Sequence, residues 1–171
     1  MNAKNKTRQI AFLGIMIIIA FAASYVERMI PPPIPTLPGI KLGLANVVIL
    51  MVLYLKDAKT ALTLNIMRIF LFAILFSGLW GMFYSLFGAL FSFTVICLLK
   101  KAGIFGVVGV SVGGGVFHNV GQICFAMLSM QNISLIYYLP LLIFSGIAAG
   151  ILVGYGAGLC ANRLKKAIRN T

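Results

Sequence analysis

The chain has 171 residues, of which 61% are apolar and only 9% charged, and its mean hydropathy is +1.07. A soluble domain carries about a quarter charged residues, and a small one cannot hide this much apolar surface, so the composition excludes a soluble globular domain and calls for lipid. The net charge is +12, with fourteen Lys or Arg against only Glu27 and Asp57. These cations sit at the ends of apolar runs, where they read as topology anchors rather than as a nucleic-acid surface. The length leaves room for six or seven spans of about 20 residues and no separate soluble domain.

In chain order, the first span is expected over 9–26, after Lys4, Lys6 and Arg8 and before Glu27-Arg28. No small-residue cleavage site follows it, so it reads as a span rather than a signal peptide. Five prolines in the eight residues 31–38 exclude a helix there. The region 30–41, with Pro33, Pro35, Pro38 and Gly39, is expected to be a stiff, extended loop. A second span follows over 42–55, short unless tilted, and ends at Lys56-Asp57-Ala58-Lys59. The third is expected over 60–76, then a turn at Ser77-Gly78-Leu79-Trp80-Gly81. The fourth covers 82–99 and stops at Lys100-Lys101. The fifth, glycine-rich, covers 104–128, and the sixth covers 135–161 before a basic tail. The expected fold is therefore an all-α, six-transmembrane-helix bundle forming a single domain over 1–171.

Placing the N-terminus in the cytoplasm puts eleven of the fourteen cations inside. Arg28 and Lys41 fall outside, and Arg68 lies within a span. This imbalance predicts that both termini are cytoplasmic.

Gly146, Gly150, Gly154 and Gly158 recur every four residues on the sixth span. Such a stripe lets another helix approach closely, as internal packing or as a docking face. Ala20, Ala23 and Ser24 make a smaller stripe on the first span. Gly113-Gly114-Gly115 marks a kink, a break or a close backbone approach to a ligand in the fifth.

Depth, counted at about 1.5 Å per residue, gathers polar and aromatic groups in the outer half. His118, Asn119 and Gln122 lie there on the fifth span and Asn46 on the second. Trp80 and Tyr84 open the fourth and Tyr137 the sixth. Asn65 and Arg68 lie deeper, near mid-membrane. Polar groups in spans usually face the bundle interior or a cavity. A guanidinium at that depth needs a partner: Asn65, backbone carbonyls or an anionic ligand.

The same inventory excludes several chemistries. One histidine and two acids are too few for a metal cluster. The two acids flank opposite membrane faces, which removes a paired-carboxylate or Ser-His-Asp mechanism. There is no phosphate-binding loop for a nucleotide-driven pump. The three cysteines, Cys97, Cys124 and Cys160, are far apart and form no CxxC pair. The chain therefore reads as a binding subunit, not an enzyme, with no cofactor and with energy supplied by partners.

The run Pro38-Gly39-Ile40-Lys41-Leu42-Gly43-Leu44-Ala45-Asn46, after its proline-rich loop, resembles the signature of the Gx transporter family. That family is also labelled heptaprenyl diphosphate synthase component I. Asn65-Ile66-Met67-Arg68, followed by Leu75-Phe76-Ser77-Gly78, resembles its third span. The family is similar to the substrate-binding S components of energy-coupling factor (ECF) transporters. The resemblance implies a six-helix protein of a bacterial plasma membrane that binds a vitamin or precursor at the extracellular side. The loop after the first helix would cap the ligand. A transmembrane coupling subunit and two ATPases would be its partners, with docking through the small residues Ala20, Ala23 and Ser24. The expected ligand contacts are Lys41, Asn46, Arg68, Trp80, Tyr84, His118, Asn119, Gln122 and Tyr137, and the cationic bias suits an anionic ligand. The synthase label suggests a second role, as membrane partner of a prenyl diphosphate synthase. A purely structural membrane subunit ranks third.

Overall fold

The computed structural model describes residues 3–30 and 42–169, in five continuous helical stretches. Residues 31–41, which hold Pro33, Pro35, Pro38, Gly39 and Lys41, lie outside the described residues. The helices are α1 (Ala3–Met29), α2 (Leu44–Leu55), α3 (Ala58–Phe72), α4 (Gly78–Ala102), α5 (Val107–Met130) and α6 (Leu139–Arg169). Among the described residues there are no strands. By length and composition four stretches can cross a membrane: Gln9–Met29, Ala58–Ala102, Val107–Met130 and Ile133–Lys166. The chain is thus an all-helical membrane protein.

The 45-residue stretch Ala58–Ala102 is twice what one crossing needs, and it does not run straight. After α3 the chain makes one π-helical turn, Ala73–Ser77. Gly78 then takes φ 64° and ψ −173°, a conformation glycine reaches without steric cost. The chain turns back there, and α4 packs against α3. The expected turn at Ser77-Gly78 is shorter than the sequence suggests, because α4 begins at Gly78 itself.

The short α2 is the innermost helix. Seven of its twelve residues are buried, and it packs on α1, α3 and α6. A helix that is apolar all round belongs inside. Its C-terminal end is held by Lys100 of α4, whose Nζ donates to the Leu53 carbonyl at 2.5 Å and lies over the Tyr54 ring. The next helix is started by Asp57, whose side chain accepts from the Thr60 backbone N–H at 2.8 Å and from the Thr60 hydroxyl at 2.9 Å. This N-cap satisfies amides that the first turn leaves without partners.

The closest helix pair is α5 with α6. A Cβ on Gly146 would stand 2.8 Å from the Gly115 carbonyl oxygen, one on Gly150 2.6 Å from Val112 Cα, and one on Gly154 2.7 Å from Val108 Cα. Three glycines of the α6 stripe therefore lie against α5 backbone. Gly158 is outside this seam, since its Cβ would meet only Val107 Cγ1 at 3.9 Å. α5 continues unbroken through Gly113-Gly114-Gly115, and Gly115 lies against the Gly146 carbonyl of α6.

Helix ends differ from expectation where apolarity is a poor guide. α1 begins at Ala3 and α6 continues to Arg169, because basic residues extend a helix beyond the apolar part. α5 runs on to Met130, and a 3₁₀ segment, Ile133–Tyr138, leads into α6.

Candidate functional site

One large cavity, of ≈ 630 Å³, is lined by residues of all six helices. It lies toward the end where α1, α3 and α5 finish and α2, α4 and α6 begin. Its volume falls in the usual range for small-molecule sites, about 300–1,000 Å³.

Arg68 on α3 is the main charge on the first wall. Its Nη1 donates to Ser24 Oγ on α1 and its Nη2 to Asn65 Oδ1, both at 2.9 Å. Ser24 in turn donates to the Ala20 carbonyl at 3.0 Å. Both bonds of the guanidinium thus go to neutral groups. The three-residue spacing of Asn65 and Arg68 puts them on one helix face, and Ser24 reaches them because Ala20 and Ser24 let α1 come close.

Glu27, the one carboxylate on the cavity, accepts from the Gly43 backbone N–H at the start of α2. Gly43 has φ 77°, which turns its amide toward α1 at a position favouring glycine. Arg28 lines the cavity beside it. Its Nη1 donates to the Phe76 carbonyl at 3.0 Å, in the π turn where the regular ladder is interrupted. Two cations, Arg28 and Arg68, face one carboxylate, so the lining is net positive.

The second wall comes from α4, α5 and α6. His118 and Gln122, one turn apart on α5, face α4 at Gly88. A Cβ on Gly88 would stand 2.8 Å from Gln122 Cγ and 2.9 Å from His118 Cε1. Gly88 therefore makes the room these side chains occupy. Tyr84 and Asn46 also line the cavity. Among the described residues no three His, Cys, Asp or Glu side chains come together.

With this geometry in place, the profile of the heptaprenyl diphosphate synthase component I family matches residues 16–160. The chain belongs to that family. The matched region takes in every described residue that lines the cavity. No curated protein and no solved structure matches the chain.

Of the expected ligand contacts, Asn46, Arg68, Tyr84, His118, Asn119 and Gln122 line this cavity of the family member. Asn119 is already engaged: its Nδ2 donates to the Leu142 carbonyl at 2.6 Å and to Ser145 Oγ at 3.1 Å, tying α5 to α6. Lys41 lies outside the described residues.

Three corrections follow. Trp80 and Tyr137 are 71% and 84% exposed and do not line the cavity. Depth alone groups them with the site, but their side chains point away from it, and Trp80 packs on Phe125. The stripe expected to dock a partner is turned inward: Ala20 is 0% and Ser24 7% exposed, and only Ala23 is partly open. Ser24 instead holds Arg68. The sequence reading also passed over Ser85, Ser92, Ser111 and Ser145, which line the cavity. A serine in a helix can bond to its own preceding turn, so its residue type carries no sign of which way it faces.

Proposed function

We propose that the chain is the substrate-binding membrane subunit of an ECF-type importer, taking a small, anionic micronutrient such as a vitamin or its precursor from the extracellular side. The observation that carries this reading is the ≈ 630 Å³ cavity walled in part by a guanidinium whose bonds go to Ser24 and Asn65. Glu27 attracts this cation without bonding to it, and a carboxylate or phosphate from a ligand further offsets the cost of a cation in a membrane span. The reading includes six crossings with both termini cytoplasmic, supported by the distribution of Lys and Arg. The cavity then lies away from Lys56, Lys59, Lys100 and Lys101, toward the outside. Ile30 and Leu42, the described residues on either side of 31–41, both line the cavity. A transmembrane coupling subunit and two ATPases supply the energy, and their docking face lies elsewhere than on Ala20 and Ser24.

The test is mass spectrometry of small molecules released from the purified full chain. Arg68→Ala is expected to lower occupancy more than about tenfold, the loss of one charge-assisted contact. Unchanged occupancy in both Arg68→Ala and His118→Ala rules the site out.

The family's description favours a second reading, as membrane partner of a prenyl diphosphate synthase. The chain has a single aspartate, Asp57, so the reaction would belong to the partner. Affinity capture separates the two: ATPases with a membrane coupling protein support the importer, a soluble aspartate-rich prenyltransferase the second reading.

A further inference from the structure

The cavity lies between two groups of three helices. α1, α2 and α3 pack on one another, while α4 and α6 both pack on α5. The groups meet along α2–α6 and α3–α4. Each group presents one buried polar atom that has no hydrogen-bond partner among the described residues: Arg68 Nε from the first and Gln122 Oε1 from the second. Gln122 is 1% exposed, and both residues line the cavity. Buried polar groups are nearly always paired. An unpaired one costs a factor of about ten or more in the folding equilibrium. Gly88 makes room for Gln122, so its position is built into the packing.

The two atoms ask for opposite partners. Arg68 Nε–H is a donor on a cation, and with the hydrogens left over on the terminal nitrogens it can grip a carboxylate or phosphate in a fork. Gln122 Oε1 is a neutral acceptor and needs an N–H or O–H. They do not serve each other: neither has a partner, and they stand on helices of different groups. We infer that the cavity takes a ligand with an acidic group at one end, held by Arg68, and a hydrogen-bond donor at the other, held by Gln122 Oε1. One molecule thereby bridges the two three-helix walls. The inference rests on the reading of the cavity as a substrate site and adds the second handle.

Three rigid probes test it on the full chain in detergent micelles: 6-hydroxy-2-naphthoate, with both groups; 2-naphthoate, with the acid only; and 2-naphthol, with the donor only. Titration calorimetry is expected to give the first an affinity about tenfold or more above each of the others. Arg68→Gln lowers its affinity to the level of 2-naphthol, and Gln122→Leu lowers it to that of 2-naphthoate. Equal binding of 6-hydroxy-2-naphthoate and 2-naphthoate to the unaltered chain overturns the inference, as does a gap that survives Gln122→Leu. That comparison on the unaltered chain decides even where a variant fails to fold. Equal affinities for all three overturn the two-handled ligand and leave the substrate site standing. Binding of none, with no co-purifying small molecule, overturns both. An aminophospholipid headgroup carries the same pair of groups. Displacement of the probe by phosphatidylethanolamine added to the micelles assigns the pair to a lipid, and its absence to a diffusible molecule; either result supports the chemistry.

Discussion

The two ends of this bundle are built from the same helices and differ in nearly everything else. At one end Met16, Val48, Leu53, Leu64, Val110 and Ala157 belong to one buried apolar cluster. At the other the same helices line a cavity with Ser24, Asn46, Arg68, Tyr84, Asn119 and Gln122. Small residues serve two purposes. Along α5 and α6 they bring backbones into contact, and at Gly88 they give space to other side chains. Close packing holds the helices at the first end, and the second leaves room for something else.

That contrast can be broken from the packed end first. Leu64→Ala removes a fully buried side chain and is expected to cost about 2–5 kcal/mol, read as a lower melting temperature in detergent. Ligand occupancy per folded molecule should stay unchanged; a matching loss of occupancy means the ends are not independent. Gly154→Ala probes the seam, where the new Cβ meets Val108 Cα, and about 1–3 kcal/mol is expected. A neutral result would show that α5 and α6 separate easily.

These effects bear on what the sequence disclosed. Asp57 marks where α3 starts, and 1.5 Å per residue orders Arg68 and Gln122 by height along their helices. Height is not azimuth. Trp80 and Tyr84 are one turn apart near the same helix end, yet only Tyr84 lines the cavity. Ser24 and Ala20 form a small-residue stripe whether it faces a partner or the interior, and only the packing of α1 on α2 and α3 settles that it faces in. Gly88 shows the same: its reason is the pair of α5 side chains across from it, residues far away in sequence.

At the hollow end, Glu27→Gln keeps an acceptor for the Gly43 N–H but removes its charge. About 1 kcal/mol of stability is expected to go, while binding of an anionic probe strengthens because the lining becomes more positive. Weaker anion binding would mean Glu27 orders the site rather than opposing the ligand. The smallest effect belongs to Asp57 at the packed end. The Thr60 backbone N–H, then the Thr60 hydroxyl, hold its carboxyl below the usual range. A depressed value stabilises the fold fully above the ordinary carboxylate pKa of about 3.9, and the contribution fades as pH falls through the lower folded value. Melting curves from pH 6 down to 3 should show a slight decline that Asp57→Asn flattens; an unaltered decline places the acid sensitivity elsewhere.

All six helices contribute to the cavity wall. A molecule that fills the cavity can reach all six helices, so filling the space is coupled to the unfolding equilibrium of the bundle. At a free concentration a hundred times its dissociation constant, an occupant adds about 2.7 kcal/mol. The resistance of this protein to heat is therefore a direct gauge of what it holds, and a library of compounds can be ranked by melting alone.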